Sequence, residues 1–172
     1  MAGQVQVVVF DVNETLSDMT PLRERFTAAG AAGTLLDTWF AGTLRDGFAL
    51  AAAGTASFPQ VAAGAMRSVL ALEPQLCQPI DTIVDSVLAG FRELALHPDV
   101  ADGVRALKEN GLRLVTLSNG STVLADAMLR AAAIRSDFEA LLSVEDASAW
   151  KPVRAAYQYA ASACGVQPAE ML

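Results

Sequence analysis

Three groups of polar residues stand directly after three apolar runs, and their side chains are of the types that a catalytic site needs. In chain order they are Asp11, Asn13 and Thr15, then Ser118 and Asn119, then Glu145, Asp146 and Lys151. An aspartate can act as a nucleophile, a lysine can keep that aspartate ionised and oriented, and hydroxyl and amide groups can donate hydrogen bonds to an anion. These residues form one site only if the apolar runs become neighbouring strands.

The apolar runs have the character of strands that are buried on both faces. They span residues 5–10, 112–117 and 141–144, and the first is rich in valine. Nearly continuous apolar runs of this length are typical of parallel strands covered by helices. Ligands of an open α/β sheet bind beyond the carboxyl ends of its strands. The three polar groups are therefore predicted to converge in one cleft.

Helical patterns flank the second and third strands. Residues 99–110 and 122–133 carry apolar side chains at helical spacing, and a further helix follows the third strand. The pair Asn110-Gly111 indicates a helix end that passes directly into a strand, and Ser121 is the predicted N-cap of the next helix. This alternation predicts an α/β fold with a Rossmann-like, doubly wound parallel sheet.

Between the first strand and the rest of the sheet, the sequence predicts helices only. The four helical segments are residues 22–29, 34–53, 60–72 and 79–96. Gly, Pro or Ser residues separate them, and none has a convincing strand pattern. The predicted organisation is a discontinuous sheet domain of residues 1–17 and 97–172 with an all-helical insert of residues 18–96. His97 would begin the hinge by which the chain returns to the sheet.

Composition and charge exclude several classes of partner. The chain has 172 residues, of which 53% are hydrophobic, and a formal net charge of -7. This length and apolar content suit one packed domain, or one domain that carries a smaller insert. Because lysine and arginine form no cluster, neither nucleic acid nor an anionic membrane surface is an expected partner.

The sequence also argues against export, membrane insertion and a zinc site. Residues 1–11 lack the basic start and the long apolar stretch of a signal peptide, so a cytoplasmic location is expected. Residues 47–66 carry no charge, but their polar interruptions predict a helix, a turn and a second helix. Cys77 and Cys164 lack the spacing of a zinc site and are predicted to be buried thiols.

Three motifs in a fixed order resemble those of the haloacid dehalogenase superfamily. They are DVNETL starting at Asp11, LSNGS starting at Leu117 and WKP starting at Trp150. The resemblance covers nearly the whole chain, and three ordered motifs are far more specific than one. It implies a hydrolase with an α/β core, in which the helical insert corresponds to the cap domain of that superfamily.

Asn13 separates two reaction types within that superfamily. Phosphatase-type members carry a second aspartate two positions after the nucleophile as a general acid and base, whereas the asparagine side chain cannot transfer a proton. With a tyrosine, Tyr157, six residues after Lys151, the pattern looks most like the type II (S)-2-haloacid dehalogenase branch. The alternative is a magnesium-dependent phosphatase, for which Glu145 and Asp146 would be the candidate metal ligands.

Resemblance to the dehalogenase branch implies a two-step displacement that uses no metal or other cofactor. Asp11 would attack the carbon that carries the halogen of a small 2-haloalkanoic acid, and the halide would leave with inversion. Water would then cleave the aspartyl ester. Lys151 would neutralise and orient Asp11. Because a halide needs no proton to leave, Asn13 is compatible with this mechanism.

The same resemblance assigns roles to four further residues. Thr15 and Ser118 would donate hydrogen bonds around Asp11 and the substrate carboxylate. Asn119 would help to receive the departing halide, and Tyr157 would support the pocket near the lysine. Structural interpretations stand beside these roles, since polar residues at strand ends also cap turns and Tyr157 is equally consistent with packing on its helix.

The insert departs from the pattern of the branch. There an arginine close to a tryptophan binds the halide or the carboxylate, whereas aligning on Trp39 places Phe40 at that position. Arg45, about a turn and a half further along the same helix, is a candidate substitute that faces another direction. Trp39, Phe40, Phe48 and Phe58 are predicted to pack in the core of the insert, and the first two could alternatively wall an apolar substrate pocket.

The end of the sequence is a second departure. The superfamily has a fourth motif, an acidic or polar cluster after another strand, and Met171 and Leu172 look like the opening of that strand. The sequence is therefore interpreted as a truncated chain. An inactive fragment is the third hypothesis, beside the dehalogenase and the phosphatase. Members of the superfamily are often dimers, so the resemblance also allows a homodimer.

Overall fold

The computed structural model of the chain describes residues 4–51, 54 and 56–172. Its internal contacts divide the chain into two compact units. Met1–Asp18 and Ala95–Leu172 form the first, called here the sheet unit, and Met19–Leu94 form the second, called the helical unit. The chain thus leaves the sheet unit once and returns to it once.

Strands and helices alternate in the sheet unit, whereas helices dominate the helical unit. The strands are β1 (Val7–Phe10), β2 (Ser17–Asp18), β3 (Ala95–Leu96), β4 (Arg113–Ser118) and β5 (Phe138–Ser143). The α-helices are α1 (Arg23–Ala28), α2 (Leu35–Leu50), α3 (Phe58–Leu70), α4 (Ile80–Gly90), α5 (Val100–Glu109), α6 (Thr122–Ala131), α7 (Val144–Ala147) and α8 (Arg154–Cys164). Short 3₁₀ turns cover Thr20–Leu22, Phe91–Glu93, Arg135–Asp137 and Pro168–Glu170.

A parallel sheet with the strand order β1-β4-β5 is the framework of the sheet unit. Val7 pairs with Arg113 of β4 and also, in parallel, with Met171, so the chain continues on the opposite side of β1. The Val7 carbonyl accepts from the Leu172 amide at 3.0 Å. Strands added first on one side of β1 and then on the other make the sheet doubly wound, and the predicted Rossmann-like α/β fold is confirmed.

The core of the sheet unit forms where one face of the sheet meets helices α5 and α6. Its buried members are Val8, Leu16, Val104, Leu114, Leu129, Ile134 and Phe138. Fully burying an aliphatic or aromatic side chain of this size contributes about 1.5–3 kcal/mol, so this cluster is a main source of the stability of the unit. The position of Phe138 in it explains why β5 starts three residues before the predicted strand 141–144. Val144 instead opens α7, whose N-cap is Ser143.

Trp39 lies at the centre of the helical unit. Its side chain is fully buried, its indole nitrogen donates to the Ala62 carbonyl at 2.8 Å, and its ring lies 6.0 Å from the rings of Phe26 and Phe91. Because the indole N–H has a partner, the burial leaves no polar group unpaired there. Trp39 therefore joins α2 to α3 and to the turn that follows α4.

The uncharged segment 47–66 contains the end of one helix and the start of another. Helix α2 ends at Leu50 and α3 begins at Phe58, where the Ser57 amide donates to Gln60 Oε1 at 3.0 Å in a capping box. The predicted helix 34–53 ends at a residue that lies outside the described residues. None of the helices formed by the described residues combines the length and the apolar character needed to cross a membrane.

The fourth predicted helix, 79–96, is too long. Helix α4 ends at Gly90, which packs so closely that a Cβ atom there would lie 2.6 Å from side-chain atoms of Arg25 and Leu22. A 3₁₀ turn follows, and β3 then pairs antiparallel with β2, Ser17 opposite Leu96. Both strands lie in the sheet unit, whose bounds Met1–Asp18 and Ala95–Leu172 differ by one or two residues from the predicted 1–17 and 97–172.

Two side chains that were predicted to be buried are exposed. Phe48 is 43% exposed because the inward face of α2 runs through Trp39, Thr43 and Gly47, and the next residue points away from it. Cys77 is exposed in the loop between α3 and α4. Cys164 is buried, as predicted.

Candidate active site

Asp11 directly follows β1, and its carboxylate is paired with Lys151. The Nζ atom of Lys151 lies 2.6 Å from Asp11 Oδ1. The lysine side chain is only 14% exposed, whereas that of Asp11 is 42% exposed. A charge-assisted hydrogen bond of this length fixes the carboxylate while one side of it remains open. Asp11 is thus both oriented and accessible.

Lys151 is held by contacts from the end of β4. Its Nζ atom donates to the Leu117 carbonyl at 2.5 Å, and its backbone amide donates to Asn119 Oδ1 at 2.9 Å. The bond from Lys151 to Pro152 is cis. The predicted convergence of the three motifs is therefore confirmed for Asp11, Asn119 and Lys151. Sequence reasoning missed the Leu117 carbonyl, because a backbone acceptor has no residue-type signal.

The turn after β1 brings Thr15 to the second oxygen of Asp11. The amides of Thr15, Leu16 and Ser17 all donate to the Val12 carbonyl at 3.0–3.3 Å, which folds this segment back on itself. Thr15 Oγ1 then donates to Asp11 Oδ2 at 3.3 Å. Asn13 is half-buried in the same turn, bridged to Ser17. The two carboxylate oxygens thus have different partners.

The loop of residues 118–121 is fixed by two buried hydroxyl groups. Ser118 Oγ accepts a hydrogen bond from the Gly120 amide at 2.9 Å, and Ser143 Oγ donates to the Gly120 carbonyl at 3.1 Å. Ser118, Asn119 and Ser143 are all buried. Ser121 accepts from the Val123 amide at 3.2 Å and is the N-cap of α6, as predicted. Ser143 was not singled out from the sequence, because one serine at a strand end is a common feature.

A cavity of about 400 Å³ opens beside Asp11 within the sheet unit. Its lining residues are Val9, Asp11, Leu117, Lys151, Tyr157, Pro168, Met171 and Leu172. Tyr157 is 41% exposed. The lining residues come from β1, from the end of β4 and from the segment paired with Val7, and they include Asp11 at the carboxyl end of β1, the end at which ligands bind in doubly wound sheets. Apolar walls around one ion pair suit a small organic acid.

The three site candidates on α2 belong to the helical unit. Trp39 is core, as described above, and Phe40 is half-buried with its ring 6.5 Å from the Trp39 ring. Arg45 is exposed and pairs with Asp46 at 2.8 Å. The hydrogen bond to the Asp46 carboxylate raises the pKa of the Arg45 guanidinium. Within this unit, Arg45 is thus already engaged with a carboxylate.

The acidic residues after β5 are exposed. Glu145 and Asp146 lie on α7, and the Tyr159 hydroxyl donates to Asp146 Oδ2 at 3.3 Å. Burial, and then the nearby Asp146, raise the pKa of Tyr159. Among residues 4–51, 54 and 56–172, no group of three or more His, Cys, Asp or Glu side chains is arranged to hold a metal ion.

Comparison with known proteins identifies similar sequences and folds. The family model for haloacid dehalogenase-like hydrolases matches residues 5–172. The (S)-2-haloacid dehalogenase 4A of Burkholderia cepacia is 32% identical over 87 residues, which are 51% of this chain and 38% of that protein. In that match the chain spans less than half the length of its relative. The (S)-2-haloacid dehalogenase 1 of Pseudomonas sp. (strain CBS-3) is 26% identical over 170 residues, which are 97% of this chain and 74% of that protein.

A solved structure with the same fold bears a covalent ligand. It is the L-2-haloacid dehalogenase from Xanthobacter autotrophicus with chloropropionic acid covalently bound. Its TM-score with this chain is 0.81 at 25% identity, over 98% of this chain and 68% of that one. That relative therefore forms a covalent adduct within a fold that this chain shares.

Proposed function

The chain belongs to the haloacid dehalogenase-like hydrolase family, and from that premise we propose that it displaces halide from a small 2-haloalkanoic acid through an ester of Asp11. The observation that carries this proposal is the ion pair between Asp11 and Lys151 at the mouth of a largely apolar cavity. A displacement needs an ionised carboxylate that is held in one orientation and open to a small substrate. The dehalogenase names of the similar proteins support the same reaction.

In the first step an oxygen of Asp11 attacks the carbon next to the substrate carboxylate. The new carbon–oxygen bond forms as the carbon–halogen bond breaks, and the halide leaves with the electron pair. We assign the attack to Oδ2, because its contact with Thr15 is 3.3 Å long whereas Oδ1 is held by Lys151 at 2.6 Å. The less strongly bound oxygen retains more of its nucleophilicity.

In the second step water cleaves the ester. It attacks the side-chain carbonyl carbon of Asp11, which releases a 2-hydroxyalkanoate, a proton and the regenerated carboxylate. Lys151 remains beside the carbonyl oxygen, where negative charge develops in this step. The oxygen of the product therefore comes from Asp11, and a water oxygen replaces it in the protein.

Further residues are proposed to bind the substrate. Ser118 donates to its carboxylate, Asn119 helps to receive the halide, and Tyr157 forms part of the apolar wall, consistent with its place at the cavity. For Trp39 we propose a structural role, because its one polar atom is already bonded to Ala62.

The test is halide release from (S)-2-chloropropionate and from chloroacetate in the presence of EDTA. The wild type is expected to release halide, and Asp11→Asn is expected to lose all detectable release, because a neutral amide is not a nucleophile. The matched control is Asp85→Asn on α4, an exposed position outside the site, which is expected to keep wild-type activity.

A single turnover in water enriched in the heavy oxygen isotope separates an ester from direct attack by water. With an ester, the isotope enters Asp11 and the product of that first turnover lacks it. Isotope in the first product would contradict the ester. Magnesium-stimulated phosphate release, with no halide release from the folded protein, would favour the phosphatase instead.

A further inference from the structure

We propose that Ser143 is a positioning residue for the loop of residues 118–121 and that it sets the affinity of the site for a substrate carboxylate. It acts through Gly120 and Ser118 and touches no reacting atom. The inference rests on the proposed function, in which Ser118 binds the carboxylate. It assigns a role to a residue that lies in none of the three motifs.

The Ser143 hydroxyl joins two parts of the site at once. It is buried at the end of β5, donates its single hydrogen to the Gly120 carbonyl at 3.1 Å and accepts from the Glu145 amide at 3.1 Å. A hydroxyl has one hydrogen and two acceptor positions, so both bonds form together. The same atom therefore caps α7, which leads to Lys151, and holds the loop that carries Ser118.

Gly120 passes this restraint on to Ser118. Its amide donates to Ser118 Oγ at 2.9 Å, which occupies one acceptor position of that hydroxyl. Among the described residues no acceptor receives the Ser118 hydrogen, although the side chain is buried. In the proposed function this is the hydrogen that Ser118 donates to the substrate carboxylate. The hydrogen bond that the Gly120 amide donates to Ser118 Oγ restricts the directions in which the Ser118 hydroxyl can point its hydrogen.

Removal of the Ser143 hydroxyl leaves the Gly120 carbonyl without this partner in a buried place. A buried carbonyl without a partner is costly, so the loop shifts until the group finds water or another donor. Displacements on the order of 1 Å in a binding group are enough to change rates and affinities about 100-fold in unfavourable cases. The bonds from Lys151 Nζ to Asp11 and to the Leu117 carbonyl involve neither Ser143 nor Gly120. The loss is therefore expected in substrate binding and not in the chemical step.

The experiment compares Ser143→Ala with the removal of a serine hydroxyl outside the site. For (S)-2-chloropropionate, KM of Ser143→Ala is expected to rise about 10-fold while kcat changes less than about 3-fold. Ser68→Ala on α3 also loses a hydroxyl that donates to a backbone carbonyl, that of Gly64, but it leaves both bonds of Gly120 intact. Its KM is expected to stay within about 2-fold of the wild type. Ser143→Thr keeps the hydroxyl and is expected to restore KM most of the way.

Binding of propionate, which has no leaving group, gives a measurement that needs no turnover. Its Kd for Ser143→Ala is expected to be about 10-fold weaker than for the wild type, and amide exchange at Gly120 to be faster. An equal Kd in the two proteins, or a fall in kcat with unchanged KM, would overturn the role of Ser143. If the wild type released no halide, only the proposed function would be refuted, because the Kd for propionate would still test the role of Ser143. No binding of propionate to the wild type would refute both.

Discussion

The Nζ atom of Lys151 lies 2.5 Å from the carbonyl oxygen of Leu117, near the end of β4. Because the same atom reaches Asp11 Oδ1 at 2.6 Å, one ammonium group joins the ends of β1 and β4. Two acceptors on adjacent strands place the charge more precisely than the carboxylate alone would. The position of this lysine is thus a property of the sheet as well as of its own loop.

Replacing Lys151 tests that placement. Lys151→Ala is expected to lower kcat for halide release by about 100-fold or more, because the charge that orients Asp11 is lost. Lys151→Arg is expected to fail as well, since a planar guanidinium does not match a nearly buried position that is shaped for a compact ammonium. The control is Lys108→Ala, the other lysine of the chain, which is exposed on α5. Wild-type rates in Lys151→Ala would remove the lysine from the mechanism.

Thr116 offers a stability test that is independent of activity. Its side chain is fully buried in β4, and Oγ1 has no hydrogen-bond partner among the described residues. Thr116→Val keeps the shape and removes the unpaired hydroxyl, so the free energy of unfolding is expected to rise by about 1 kcal/mol. Urea denaturation measures it, with the exposed Thr38→Val as a control that changes little. A loss of stability would indicate that the hydroxyl has a partner such as a buried water.

The ion pair between Arg113 and Glu139 predicts a pH dependence of stability. Two hydrogen bonds from Arg113, at 2.6 and 2.7 Å, lower the pKa of Glu139 below its ordinary value. The folded state thus binds this proton less tightly than the unfolded state does, and stability rises with pH through this range. The contribution is complete above the ordinary glutamate pKa and is lost as the pH falls through the folded-state pKa.

Glu139→Gln is therefore expected to be less stable than the wild type at neutral pH. The difference should shrink as the pH is lowered and vanish once Glu139 is protonated in the folded wild type. Urea titrations at several pH values measure this, and the exposed Glu109→Gln on α5 is the control. A difference that stays constant with pH would mean that packing of Glu139, and not its charge, stabilises the fold.

The two cysteines are expected to react at very different rates. Cys77 is exposed, whereas Cys164 is buried in α8, and burial raises the pKa of the Cys164 thiol. Since the thiolate is the reactive form, iodoacetamide should modify Cys77 at least about 10-fold faster in the folded protein. Peptide mass spectrometry with and without urea measures both sites, and Cys77→Ser should remove the fast phase. Equal rates in the folded state would show that α8 opens readily.

The sequence predicted those elements whose residue types recur in a regular pattern over several positions. The valine-rich run before Asp11 predicts a buried strand, because any exposed position would put its apolar side chains in water. The motifs around Asp11, Asn119 and Lys151 locate the strand ends. The helix in which Trp39 lies was likewise predictable from its spacing.

Features that depend on a few atoms were not predictable in this way. Strands β2 and β3 have two residues each and carry no periodic pattern, so the segment up to Leu96 was interpreted as helix. The Leu117 carbonyl and the Ser143 hydroxyl act through positions that only the folded sheet creates. The exposure of Phe48 likewise depends on which face of α2 is buried, and that is fixed only by packing in the folded helical unit.

The pairing of Ser17 with Leu96 brings together the two points at which the chain leaves and re-enters the sheet unit. The chain departs and re-enters at adjacent points, so the length and content of residues 19–94 can change without moving the strand ends that carry Asp11 and Ser118. Insertions, deletions or exchange of the whole segment would be absorbed between β2 and β3. Exchange of this one segment would leave the nucleophile and its lysine in place.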